Sequence, residues 1–227
     1  MKKMVFLLFG ALLVGTLSVS AAKRVYLVGD ESMAIPCDSS YYTWGQVLAN
    51  QFAKKVEVNN HAVAGLSLKS FMTDHGLKWL AKLPKKSIVL LQVGRHDLNM
   101  SDSVNHTTHE AFTKRLQEVA TRCEKNKIML VLCTPLAVPY YKDSVLIDNL
   151  GGYDDAMRNV AAYYHLPLLD MSAATLEWLA GMDAEALNQN YTSVDAPYSL
   201  TEVGAQTVAE MAVNMMKSNK ILAKLLK

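Results

Sequence analysis

The chain has 227 residues, of which 51% are hydrophobic and 19% charged, and its formal net charge is +2. So slight a charge leaves no footprint for nucleic acid, and the length suits one α/β domain once a leader is set aside. Three cysteines, Cys37, Cys123 and Cys133, allow at most one disulfide and match no metal-ligand spacing, so neither a metal nor a cofactor is expected.

The chain opens with Lys2 and Lys3, then runs apolar without a break from Met4 to Leu17 and reaches small residues at Ser18, Ser20, Ala21 and Ala22. This is the pattern of a signal peptide over residues 1–22, cleaved near Ala22, which leaves a domain over 23–227 and a secreted or periplasmic protein. The apolar run falls short of the roughly 20 residues that span a bilayer, and no second long apolar segment follows, so no membrane association is expected after cleavage.

Past the leader, runs rich in β-branched residues predict five strands at Arg24–Val28, Val56–Val63, Ile88–Val93, Ile128–Cys133 and Leu166–Leu169. Helical stripes fall between them. Trp44, Val47, Leu48 and Phe52 form one, and Phe112, Leu116, Val119 and Cys123 form another that opens on a capping box at Thr107 and Glu110. Asp154–Tyr164 predicts a further helix. The last helix carries Val208, Met211, Ala212 and Met215 and is preceded by a second box at Ser199 and Glu202, its methionines read as core filler. Alternation of this kind predicts a three-layer, doubly wound, flavodoxin-like domain with a parallel sheet in the order 2-1-3-4-5. In such folds the working site lies where loops leave the carboxyl ends of the strands.

Four loops at those ends carry motifs. They are VYLVGDESMA from Val25, NNHAVAGLSLKSF from Asn59, LLQVGRHDLN from Leu90 and DAPYSLTEVGA from Asp195. In order and spacing they resemble the blocks of the SGNH (GDSL-like) hydrolases. Within that family they are most like the rhamnogalacturonan acetylesterase branch, a likeness that extends to TWGQVL after the first block and to Thr134-Pro135. The resemblance implies acyl transfer from an acetylated sugar to water. A serine attacks the ester, a histidine three residues after an aspartate takes its proton, and a serine N–H, a glycine N–H and an asparagine side chain hold the oxyanion.

Measured against those roles, the chain departs at three of the four name-giving positions. Glu31 stands in the serine's place, where a carboxylate attacking an acetyl ester would give an anhydride. In the first turn of a helix it would instead gain about 0.3–1 kcal/mol from the dipole. Ser32 follows one place late. Gly65 keeps the glycine donor, five residues after Asn60, while the asparagine has become His96, which can still donate one hydrogen bond or pair with Glu31. Asp195 is present, but Tyr198 or, in the other register, Ser199 takes the place of the histidine. The other histidines, His61, His75, His106, His109 and His165, follow no aspartate at the required spacing.

These departures imply a non-hydrolytic relative of carbohydrate acetylesterases, with an oligo- or polysaccharide as its ligand. Two alternatives stay open. One is an O-acetylesterase with Ser32 as nucleophile and His96 as base, and the other is a glycan-acting enzyme using Glu31, His96 and Tyr198 as acid and base.

Overall fold

The computed structural model describes residues 23–37, 39–73, 75–143, 145–192 and 199–227. Five parallel strands form its sheet: β1 (Lys23–Val28), β2 (Val56–Asn60), β3 (Ile88–Gln92), β4 (Met129–Cys133) and β5 (Leu168–Leu169). Their order is β2-β1-β3-β4-β5, as the alternating pattern predicts. Every residue of β3 is buried, which is why its first four, Ile88 to Leu91, read as an apolar run.

Alternate residues of the central strands feed two separate cores. On one side Val25, Leu27, Leu90 and Val131 pack with Trp44 and Leu48 of α1 (Trp44–Ala49), Met171 of α6 (Met171–Ala180) and Val208 and Ala212 of α8 (Glu202–Lys217). On the other side Tyr26, Val28, Val89 and Leu130 meet α2 (Leu68–Thr73), α3 (Gly76–Lys82), α4 (His109–Lys125) and α5 (Tyr153–Tyr163). A sheet with helices on both faces is the result. In the last helix Met211 and Met215 are partly buried against the first core, in keeping with a packing role.

Local chemistry moves several boundaries. The second strand stops at Asn60 rather than Val63, because the Asn60 side chain accepts from the Ala62 N–H at 3.0 Å and donates to the Met33 carbonyl at 2.9 Å, turning the chain. Pro167 has no N–H to give, and β5 shrinks to two residues beside it. Neither capping box forms as predicted. Thr108, not Thr107, caps α4 by accepting from the Ala111 N–H, and Thr201, not Ser199, caps α8 by accepting from the Gly204 N–H.

Between β4 and α5 a small antiparallel hairpin pairs Tyr141–Lys142 with Val145–Leu146. A helix α7 (Ala184–Asn190) precedes the fourth motif loop. No described helix is long and apolar enough to cross a membrane.

Candidate functional site

Three of the four motif loops meet where β1, β2 and β3 end. After β1 the backbone makes a single hydrogen-bonded turn, with the Met33 and Ala34 N–H groups both donating to the Asp30 carbonyl. No helix starts here, which corrects the expectation that Glu31 sits in a helical first turn. Helix α1 begins only at Trp44, capped by Thr43. The dipole is therefore not what holds Glu31.

Its carboxylate is held by two donors from other loops. The Gly65 N–H donates to Oε2 at 3.0 Å, and His96 Nε2 lies 2.8 Å from Oε2 and 3.0 Å from Oε1. Both oxygens are acceptors, so Nε2 carries the proton and donates. The pair is half-buried, with side-chain exposures of 25% for His96 and 20% for Glu31. Gly65 has φ +78°, a left-handed conformation that a side chain would strain. Nothing lies within 4 Å of where its Cβ would be, so conformation rather than space selects glycine there.

The carboxylate hydrogen-bonded to His96 raises that histidine above its ordinary 6.5, against burial. Burial alone would raise Glu31, yet the bonds from His96 and Gly65 and the imidazolium charge outweigh it and hold the carboxyl below its ordinary value. Asp30 moves the other way. Burial and the neighbouring Glu31 charge push it up to about 6, despite hydrogen bonds from the Ser32 hydroxyl and N–H.

Ser32 is turned inward. Only 1% exposed, its hydroxyl lies 2.7 Å from Asp30 Oδ1 and 3.0 Å from Gln92 Oε1. The geometry thus contradicts the pairing of a Ser32 nucleophile with a His96 base, since the serine is sealed from solvent and the imidazole faces Glu31. Asn60 sits at the site's margin, holding the Met33 carbonyl. Asp195 and Tyr198 lie outside the described residues. Ser199 is described, and its carbonyl accepts from Thr192 while Leu200 bridges to Tyr42.

Two residues were missed at the sequence level although they build this site. Asp97, fully buried, accepts from the Leu68 N–H at 2.8 Å and the Lys69 N–H at 3.3 Å, and so ties the His96 loop to the segment that carries Gly65. Gln92 closes the floor under Ser32. Asp97 was legible only as a motif letter and Gln92 only as a polar residue in an apolar strand.

Two N–H donors converging on one anion form an oxyanion-type hole. Here the anion is the protein's own Glu31. Among the described residues no cluster of three metal-ligating side chains occurs.

Comparison with known proteins agrees with this layout. The profile of the GDSL-like Lipase/Acylhydrolase family matches residues 26–195. The probable rhamnogalacturonan acetylesterase YesY of Bacillus subtilis is 25% identical over 207 residues, covering 88% of this chain and 94% of that protein. The rhamnogalacturonan acetylesterase RhgT of the same species is 26% identical over 155 residues, 67% of this chain and 66% of its own. Among solved structures, the protein YXIM of Bacillus subtilis superposes with a TM-score of 0.71 at 19% identity, covering 88% of this chain, which spans 57% of it. The chain is thereby related to carbohydrate acetylesterases, and it belongs to the GDSL-like lipase/acylhydrolase family.

Proposed function

We propose that this protein is an exported, non-hydrolytic member of the family that binds acetylated saccharides. The observation that carries the reading is Glu31 seated between Gly65 N–H and His96 Nε2–H. Ester hydrolysis by this family's route needs a hydroxyl nucleophile, a base to take its proton and an empty hole for the developing oxyanion. Glu31 supplies a carboxylate that is already the anion, and attack by it would leave an anhydride. Losing a nucleophile or its base lowers such rates by about 10⁴ to 10⁶.

Support for a saccharide comes from the two acetylesterase relatives and from the rings beside the site. Exposed His61, four residues before Gly65, lies with its ring centroid 5.2 Å from that of Trp79. The exposed His61 ring and the half-buried Trp79 of α3 offer apolar surface for the C–H face of a sugar. Export rests on Lys2, Lys3 and the apolar run that follows them. N-terminal sequencing of exported protein should begin at Lys23.

Purified protein is expected to leave 4-nitrophenyl acetate and acetylated pectin at the protein-free rate. Short acetylated oligosaccharides should shift the Gly65 and His96 amide signals in NMR. Saturable ester hydrolysis overturns the inactive reading, and unmoved signals overturn the binding one.

A further inference from the structure

The opposite edge of the sheet carries a second feature, at the far ends of the strands from the motif loops. A cavity of about 510 Å³ opens at the amino ends of β1, β3 and β4, lined by Lys23, Arg24, Lys85, Lys86 and Lys127 and, among the described residues, by no acidic one. Its floor is apolar, formed by Pro84, Ile88, Met129 and Ile221. Of the cations, Arg24 is answered by Glu57 at 2.9 Å. A second cavity of about 530 Å³ shares Lys127, Met129 and Ile221 and continues past Tyr164 and His165 to the start of β5, with Glu124 its one acid. The two make one groove across four strands. Each cavity has the size of a small-molecule site.

The backbone points to the same edge. Lys86, Lys127 and His165 stand at equivalent places in three successive helix-to-strand turns, and all three are left-handed, with φ of 68°, 58° and 53°. Glycine is the residue that adopts this conformation without strain. The Lys86 N–H donates to the Lys127 carbonyl at 2.8 Å, so the two lysines are anchored together at the groove's centre.

We infer that this groove is a binding site for an acidic polysaccharide, a chain of uronate sugars whose carboxylates meet the lysines and whose ring faces lie on the apolar floor. Charge complementarity selects an anion. The concavity, whose exposed apolar side chains are only Pro84 and Ile221 among the described lining residues, favours a narrow polymer over a flat lipid surface. The choice of a saccharide as occupant rests on the proposed function. The site itself does not, since it lies at the end of the sheet opposite Glu31. A polymer held along the amino edge would keep the protein on a pectic surface while the carboxyl edge meets acetylated units.

The test is affinity electrophoresis and calorimetry of the purified protein with polygalacturonate. Retardation is expected with polygalacturonate and not with its fully methyl-esterified form, which keeps the sugar chain and loses the charge. The double variant Lys86→Gly, Lys127→Gly removes two cations at positions glycine favours. It should bind roughly tenfold more weakly, as two exposed charge contacts would give. Its melting temperature should be no lower than that of the native chain, which separates lost binding from lost folding. In NMR, polygalacturonate should move the Lys86 and Lys127 amides. Shifts confined to Gly65 and His96 would place the polymer at the carboxyl edge and overturn the groove. Equal binding of the methyl ester, unchanged affinity in the double variant, or equal or tighter binding to phosphatidylglycerol vesicles or dextran sulfate also overturns it. Failure of acetylated oligosaccharides at Gly65 and His96 is read separately and concerns the proposed function.

Discussion

At Glu31 and His96 two opposite pKa movements set a pH window. The raised His96 value means its share of stability is complete below 6.5, the unfolded value, and is lost as pH climbs through the higher folded one. The lowered Glu31 value means its share is present above 4.5 and is lost as pH falls through the lower folded one. The pair therefore contributes most between these limits. NMR titration should place the His96 midpoint above 6.5 in the native chain and lower in Glu31→Gln, and equal midpoints would show the pair carries no charge coupling. Asp30 behaves in reverse: raised to about 6, it favours the folded state most below 3.8, and that advantage fades between the two values. Asp30→Asn keeps an oxygen for the Ser32 N–H and removes the charge. Urea unfolding at pH 4 and pH 7 should accordingly show less pH dependence in the variant, and an unchanged difference would remove Asp30 as its source.

Among the elements, α1 is the one whose placement shapes the site. Its second residue, Gly45, is packed so closely against the first loop that an added Cβ would lie 2.3 Å from the Met33 carbonyl oxygen. That oxygen also receives the Asn60 side chain, so α1, β2 and the Glu31 turn are locked at one point. Gly45→Ala should cost about 3 kcal/mol in denaturant unfolding, the upper range for overpacking, and should displace the His96 imidazole signals. A variant as stable as the native chain would show that the loop yields. Capping predicts a smaller effect: Thr201→Ala removes the acceptor for the Gly204 N–H and should cost α8 about 1 kcal/mol, read from the thermal midpoint. Ser199→Ala should cost much less, because only the Ser199 backbone carbonyl takes part in the turn with Thr192.

Across the whole molecule, the two edges of one sheet carry opposite chemistry. At the carboxyl edge an internal carboxylate, Glu31, accepts from the Gly65 N–H and from His96 Nε2–H. At the amino edge lysines stand on left-handed backbone with few acids to answer them. Ionic strength should distinguish the two. Polyuronate affinity at the groove should fall steeply as salt rises from roughly 0.05 to 0.5 M, since exposed charges are screened over about 10 Å at 0.1 M, while the half-buried Glu31–His96 pair keeps its titration midpoint. Salt-independent polyuronate binding would contradict a contact made by the exposed lysines.

Much of this architecture was legible in the chain itself, for definite reasons. Strands buried on both faces read as nearly continuous apolar runs, so Val25 to Val28, Ile88 to Leu91 and Met129 to Cys133 announce themselves, and their alternation with helical stripes implies the parallel order. Motif spacing likewise brought Glu31, Gly65 and His96 to one edge, because each follows a strand of that sheet. What spacing does not carry is direction. Whether Ser32 faces solvent or Asp30, and whether Glu31 begins a helix or spans two loops, depends on hydrogen bonds between segments tens of residues apart. Short elements escaped for a related reason: α2 and α3 hold too few turns to show a period, and a cap is chosen by which threonine the packed chain leaves beside an open N–H. The amino-edge groove was invisible in sequence because its cations come from separate turns, and only the folding of the sheet draws Lys23, Lys86 and Lys127 around one cavity.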